Sequence, residues 1–175
     1  TSAMMKSILI VGSILFLSAS GCAEKSEKYF ERKVSINGTE IFFKTIGKGE
    51  SFVFLHGGPG FSHDYFLPHL HPLHKELNLV FFDQRGMGRS STNLDSSSFS
   101  IELLIEDIEA LRTELDLGKI QVFAHSWGGI LAMRYSIRYP NSLKSLILSN
   151  SVSPSSEFDE ATISAFTKLN ERQNT

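Results

Sequence analysis

The sequence is poor in cysteine, in unbalanced charge and in long apolar runs, and each scarcity excludes a class of protein. Cys22 is the only cysteine among 175 residues, so neither an internal disulfide nor a cysteine-based metal site can form. The 17 basic and 19 acidic side chains nearly cancel, which leaves no basic field for nucleic acid. Hydrophobic residues make up 41% of the chain, enough for a packed core rather than a disordered chain.

A short apolar run lies near the N-terminus. Lys6 precedes the run 8–17, and small residues follow as far as Gly21, an arrangement typical of a secretory signal. The run has about half of the roughly 20 residues that a membrane-spanning helix needs. Because Cys22 comes next, residues 1–21 resemble a bacterial lipoprotein signal, with upstream residues before Met4. The resemblance implies export, lipidation of Cys22 and a membrane anchor facing the periplasm or the cell exterior; a plain signal peptide is the alternative.

The rest of the chain alternates between strand and helix patterns after a polar tether, residues 22–30. An antiparallel hairpin is expected over 32–46, turning at Asn37-Gly38. Further strands are expected over 51–55, 78–82, 120–124 and 143–148, with a bent or two-part helix over 61–76, a helix capped by Ser100 and a helix from Trp127 to before Pro140. This order predicts an α/β fold with a mainly parallel sheet and helices on both faces.

One stretch, residues 124–129, has the pattern of a nucleophile elbow. Ser126 stands where a strand meets a helix, and Ala124 and Gly128 are the small residues two places to either side. Small neighbours are needed because the sharp turn strains the serine backbone and crowds the residues around it. Taken alone, the stretch also fits an ordinary serine-glycine connection.

Two loops precede the elbow. His56-Gly57-Gly58-Pro59-Gly60 can neither continue a strand nor begin a helix, which favours an oxyanion loop with exposed amides over an ordinary glycine turn. In the second loop, residues 83–90, Asp83 stands at a strand end and is a candidate catalytic acid. The favoured interpretation is that Asp83 and Arg85 form one structural network that pins this loop beside the site.

The histidines offer the serine no partner in the usual arrangement, and those in the segment 61–76 could act as its base only in a different topology. His69, His71 and His74 are interpreted as solvated helix residues rather than zinc ligands, and no metal is expected. His56 belongs to the glycine loop, and His125 is expected to point away within the elbow. All six histidines precede Ser126.

Together the stretches 56–60, 83–90 and 126–129 resemble the α/β-hydrolase fold and, more narrowly, the proline iminopeptidase group, over roughly residues 33–153. The resemblance implies that Ser126 is the nucleophile and that the amides of Gly58 and Trp127 form the oxyanion hole. The loop-shaping residues are then His56, Gly57, Pro59, Gly60, Asp83, Arg85 and Gly128. It also implies a small peptide substrate with a free N-terminus, no cofactor, and a helical cap that begins near Ser153.

In this fold the triad order along the chain is serine, acid, histidine. We therefore expect residues 31–152 to be the N-terminal part of the hydrolase core and 153–175 the start of the cap, with the chain truncated before the C-terminal strands and inactive alone. An esterase or amidase on the same fold is one alternative, and a non-catalytic lipoprotein binding module is another. Epoxide hydrolases and dehalogenases attack with aspartate at the elbow, so Ser126 argues against them. The oligomeric state is left open.

Overall fold

The computed structural model describes residues 28–92, 94–152 and 164. The expected signal and Cys22 lie outside these residues, as does the expected start of the cap apart from residue 164. The described part contains six strands, three α-helices and three 3-10 turns. The strands are β1 (Phe30–Ile36), β2 (Thr39–Ile46), β3 (Glu50–Leu55), β4 (Leu77–Phe82), β5 (Ile120–His125) and β6 (Leu143–Ser149). The α-helices are α1 (Leu67–Leu70), α2 (Ile101–Glu114) and α3 (Trp127–Arg138), and the 3-10 turns are His63–Phe66, His71–Lys75 and Ser96–Ser98.

All six strands form one sheet in the order β1-β2-β4-β3-β5-β6. β1 and β2 are antiparallel, β2 also runs antiparallel to β4, and the pairs β3 with β4, β3 with β5 and β5 with β6 are parallel. Asn37 and Gly38 turn the hairpin with φ of 46° and 75°, the left-handed pair of angles that a tight two-residue hairpin requires. The predicted fold class, with its antiparallel start and parallel remainder, is confirmed.

Apolar layers cover both faces of the sheet. On one face, α2 and α3 pack against the strands through residues that include Leu104, Ile108, Ile130 and Leu131. On the other face, Phe66, Leu67 and Leu70 cover a smaller cluster of strand residues around Phe54 and Phe81. Burial on both faces explains why β3 and β4 are almost continuously apolar in sequence.

The segment 61–76 differs from the expected bent or two-part helix. It forms a 3-10 turn, the four-residue α1 and a second 3-10 turn, which follow one another directly. Pro68 and Pro72 each stand within the first two residues of a new turn, because a proline has no amide N–H to continue the preceding one. Leu73, within the second 3-10 turn, is 45% exposed.

The sheet brings the three predicted loops together. β3, β4 and β5 are neighbours within its parallel part, and each ends directly before one of the stretches 56–60, 83–90 and 126–129. The carboxyl ends of parallel strands lie at the same edge, where α/β proteins bind their ligands. Among the described residues, none of the helices is both long and apolar enough to cross a membrane.

Candidate active site

Ser126 is the single residue between β5 and α3, and its backbone is left-handed. Its φ is 52° and its ψ is −119°, a sparsely populated conformation that costs a non-glycine residue about 1–3 kcal/mol. Two backbone hydrogen bonds hold it there: the Ser126 amide donates to the Ser149 carbonyl (3.0 Å), and the Gly129 amide donates to the Ser126 carbonyl (2.9 Å). The Ser126 hydroxyl makes no hydrogen bond with any residue that the structure describes, so it is available for chemistry.

The elbow packs on the end of β3 and beside the segment that follows β6, and these two contacts explain its small residues. A Cβ at Gly128 would lie 2.9 Å from the His56 carbonyl oxygen and closer still to that of Leu55. A Cβ at Gly129 would overlap the side chain of Ser151. Glycine at 128 therefore lets the first turn of α3 sit against the strand that carries the 56–60 loop, and glycine at 129 leaves room for Ser151 beyond β6.

The 56–60 loop lies against the serine. A Cβ at Gly57 would stand 3.2 Å from both the Ser126 Cβ and the His125 Nδ1. Gly58 has a φ of 127°, which disfavours any residue with a side chain. Neither the Gly58 amide nor the Trp127 amide donates a hydrogen bond within the described part of the chain. Both predicted oxyanion donors therefore remain free beside the elbow.

His56 shapes this loop as a buried neutral ring. Its Nε2 accepts a hydrogen bond from the backbone N–H of Gln84 (3.1 Å). The ring proton therefore resides on Nδ1, which donates to the Gly57 carbonyl (2.8 Å). Burial lowers the pKa of His56 to about 4, which keeps the ring neutral at physiological pH. In a planar trans peptide the carbonyl and the next N–H point in opposite directions. The His56 ring therefore fixes the direction of the Gly58 amide.

Gln84 links the two amide-bearing segments, a role that the sequence reasoning missed. Its side-chain Nε2 donates to the His56 carbonyl (2.8 Å), and its Oε1 accepts from the Trp127 indole N–H (3.1 Å). The side chain is almost fully buried, so these bonds are shielded from water. An amide side chain two residues after a strand buried on both faces was the available signal, because buried polar groups are normally paired.

Asp83 and Arg85 lie in two separate networks, which corrects the expected shared one. Asp83 Oδ1 accepts from the His63 amide (2.9 Å) and lies 2.6 Å from His63 Nδ1, while Oδ2 accepts from the Arg89 amide (2.8 Å). Burial raises the pKa of the Asp83 carboxyl, but the bonds from His63 and Arg89 outweigh it, and the net shift is downward. Asp83 thus joins His63 to Arg89, which are the chain neighbours of Asp64 and Gly88 in the wall of the cleft described below.

Arg85 instead pairs with Asp107 on α2. Its Nε and one terminal nitrogen each lie 2.6 Å from an Asp107 oxygen, and both side chains are nearly inaccessible. Asn37 also donates to Asp107 (3.0 Å), which ties the first hairpin to the helix. β4 ends at Phe82, so Asp83 and Arg85 lie beyond the strand, and strand geometry no longer directs their two side chains to the same side. Asp107 was missed, although it lies three residues after Leu104 on the apolar face of α2.

A cleft of about 610 Å³ opens beside the 56–60 loop. Its walls include Phe61, Tyr65 and His125, with Asp64 at the side. His125, expected to point away, places Nδ1 3.0 Å from the Tyr65 hydroxyl. No hydrogen bond joins it to Ser126 among the described residues.

Two of the three histidines considered as metal ligands, His71 and His74, are half-buried and have protein partners, which corrects the expectation that they are solvated. His71 Nδ1 lies 2.8 Å from the Tyr29 hydroxyl, and His74 Nδ1 lies 2.5 Å from the His71 carbonyl. These contacts explain the two rings as structural.

Known proteins resemble this chain in sequence and in structure. A proline iminopeptidase of Saccharolobus solfataricus is 35% identical over 142 residues, which are 81% of this chain and 46% of that protein. One from Lactiplantibacillus plantarum is 38% identical over 124 residues, with 67% and 43% covered. A proline iminopeptidase-related protein from Thermus thermophilus superposes with a TM-score of 0.65 at 29% identity, over 69% of this chain and 44% of that one. An epoxide hydrolase of Vigna radiata also gives 0.65, at 28% identity and with 72% and 41% covered.

The chain spans less than half the length of these curated relatives. Residues 50–175 match the family described as alpha/beta hydrolase fold. That match covers most of the chain and includes all three loops at the carboxyl edge of the sheet. The chain therefore belongs to the α/β-hydrolase fold family.

Proposed function

We propose that Ser126 is the nucleophile of a serine hydrolase that works through an acyl-enzyme. The observation that carries the proposal is the left-handed serine between β5 and α3, with its hydroxyl and the amides of Gly58 and Trp127 unpaired among the described residues. Strained backbone of this kind persists where surrounding structure holds it, and it concentrates at functional sites. A serine at this position favours acyl transfer over the chemistry of the epoxide hydrolases with which the chain shares its fold.

In the proposed reaction, Ser126 Oγ attacks the substrate carbonyl carbon and loses its proton to a general base. The carbonyl oxygen becomes negative and accepts hydrogen bonds from the amides of Gly58 and Trp127. The carbon–nitrogen bond then breaks, the leaving amine takes the proton from the base, and an ester to Ser126 remains. Water hydrolyses that ester with the same base and regenerates the hydroxyl.

We also propose that the acid and the base belong to a longer polypeptide containing this chain. Two facts support this: no histidine follows Ser126, and the curated relatives are more than twice as long as the matched part. The members of a triad act as a unit, so Ser126 with its two amides retains only a small fraction of the full rate. The 175-residue chain by itself is expected to show no measurable turnover.

The proposed substrate is a small peptide with a free N-terminal residue, typically proline. The support is that the similar curated proteins are named proline iminopeptidases. The test compares three substrates of the full-length protein: a prolyl arylamide, its N-acetylated form and a short-chain ester.

An aminopeptidase cleaves the free prolyl arylamide and rejects the acetylated one. Cleavage of both arylamides identifies an amidase, and preference for the ester identifies an esterase. If no substrate turns over and Ser126→Ala binds peptide as well as wild type does, the protein is a binding module.

We further propose that the protein is exported and anchored to a membrane surface through lipid on Cys22. The support is the sequence pattern alone: a basic residue, a short apolar run and small residues directly before the cysteine. Metabolic labelling with a tagged fatty acid is expected to mark wild type and to leave Cys22→Ala unlabelled. Equal labelling of the two proteins would exclude lipidation at this position.

A further inference from the structure

We infer that Tyr65 is a positioning residue for the reaction at Ser126, an inference that rests on the proposed function. Tyr65 lies in the first 3-10 turn, outside the three stretches that carry the family resemblance. Its hydroxyl oxygen accepts a hydrogen bond from the Gly57 amide (2.8 Å) and lies 3.0 Å from His125 Nδ1. One phenol group therefore joins the 56–60 loop to the residue directly before Ser126.

The bond to Gly57 completes a clamp on one peptide unit. The unit between His56 and Gly57 has its carbonyl held by Gln84 Nε2 (2.8 Å) and its N–H held by the Tyr65 hydroxyl. Because a peptide unit is planar and trans, holding both ends fixes its plane. The next unit carries the Gly58 amide, so an error in the first plane is passed directly to the proposed oxyanion donor.

The environment of Tyr65 suits this task. Its ring meets His125 edge-on with centroids 5.5 Å apart and Phe61 with centroids 6.5 Å apart, so neighbours hold it on the cleft wall. Burial raises the pKa of Tyr65, and the bond from Gly57 only partly opposes the rise, so the hydroxyl stays neutral at physiological pH. A neutral hydroxyl accepts from Gly57 and still has a hydrogen to share with His125.

The test is Tyr65→Phe in the full-length protein, which removes the hydroxyl and keeps the ring. The matched control is Tyr29→Phe, which removes a hydroxyl bonded to another histidine, His71 (2.8 Å), away from the loop. The net value of a neutral hydrogen bond corresponds to about a tenfold change in rate. We expect Tyr65→Phe to lower kcat about tenfold per active site while KM stays within about twofold, and Tyr29→Phe to change neither.

Active sites are counted by stoichiometric phosphonate labelling of Ser126, so that misfolded protein does not lower the measured kcat per active site. Faster hydrogen exchange of the Gly57 amide in Tyr65→Phe, and not in Tyr29→Phe, is expected as a direct sign of the lost bond. Unchanged kcat per labelled site in Tyr65→Phe overturns the inference while the proposed function stands. A wild-type protein that turns over substrate without labelling at Ser126 refutes the proposed function itself.

Discussion

Replacing Gln84 by methionine should damage both the stability and the reactivity of the site. The substitution keeps an unbranched side chain of similar size but removes the bonds to the His56 carbonyl and from the Trp127 indole. Each of the two lost hydrogen bonds leaves a buried polar group unpaired, at a cost of about 1–3 kcal/mol. The free energy of unfolding should therefore fall by about 2–6 kcal/mol. That is a large share of the roughly 5–15 kcal/mol that stabilises a typical domain.

The same change should slow the reaction of Ser126, because Gln84 holds the segments that carry both proposed oxyanion donors. Misplacing reacting groups by about 1 Å costs on the order of a hundredfold in rate, so phosphonate labelling should slow by about that factor. Urea unfolding and labelling rates are compared with Gln121→Met, where a more exposed amide contacts Glu50 and Ser145. If the two variants unfold at the same urea midpoint and label at the same rate, Gln84 does not organise the site.

Three further predictions concern stability and are read by urea unfolding. The pKa of His56 is about 4 in the folded protein and 6.5 in the unfolded chain, so the unfolded chain binds more protons between these pH values. The free energy of unfolding should therefore fall by about 3 kcal/mol as the pH drops from 6.5 to 4. The variant His56→Gln should lack this part of the pH dependence. Gly128→Ala should lower the free energy of unfolding by about 1–3 kcal/mol, because the new Cβ would clash with β3. Gly118→Ala should cost less, because a Cβ there has free space and only the left-handed φ of 63° opposes it. Equal costs for the two variants would contradict the steric explanation. Arg85→Met should cost about 3–5 kcal/mol of unfolding free energy, because it leaves the buried Asp107 carboxylate without its partner. Arg138→Met, which breaks an exposed pair with Glu106, should cost clearly less, and an equally small cost at Arg85 would show that water reaches Asp107.

Local sequence patterns were sufficient for most of the fold. The Asn37-Gly38 turn, the Ser100 cap and the apolar strands are each set by neighbours in the chain, and the Ser100 hydroxyl does accept from the Leu103 amide (3.1 Å). The segment 61–76 was predicted less well, because its apolar spacing suggested helix while Pro68 and Pro72 restarted the turn twice. Local steric rules overrode periodicity there.

The partners of the site residues were beyond sequence reasoning because they are distant in the chain. Gln84 meets His56 across 28 residues and Trp127 across 43, and Arg85 meets Asp107 across 22. Which polar groups come into contact depends on the strand order and on how α2 and α3 pack against the sheet. No local sequence pattern specifies the strand order or this packing. The residues proposed to carry chemistry, and His56 beside them, were named from the sequence, whereas Gln84 and Asp107 were identified only in the structure.

The central claim is that Ser126 is the nucleophile, and covalent labelling tests it most directly. The full-length protein is treated with a serine-directed phosphonate, digested and examined by mass spectrometry. We predict one adduct, on the peptide that contains Ser126, and its loss together with all turnover in Ser126→Ala. Turnover that survives in Ser126→Ala, or an adduct on a different residue, would contradict the claim.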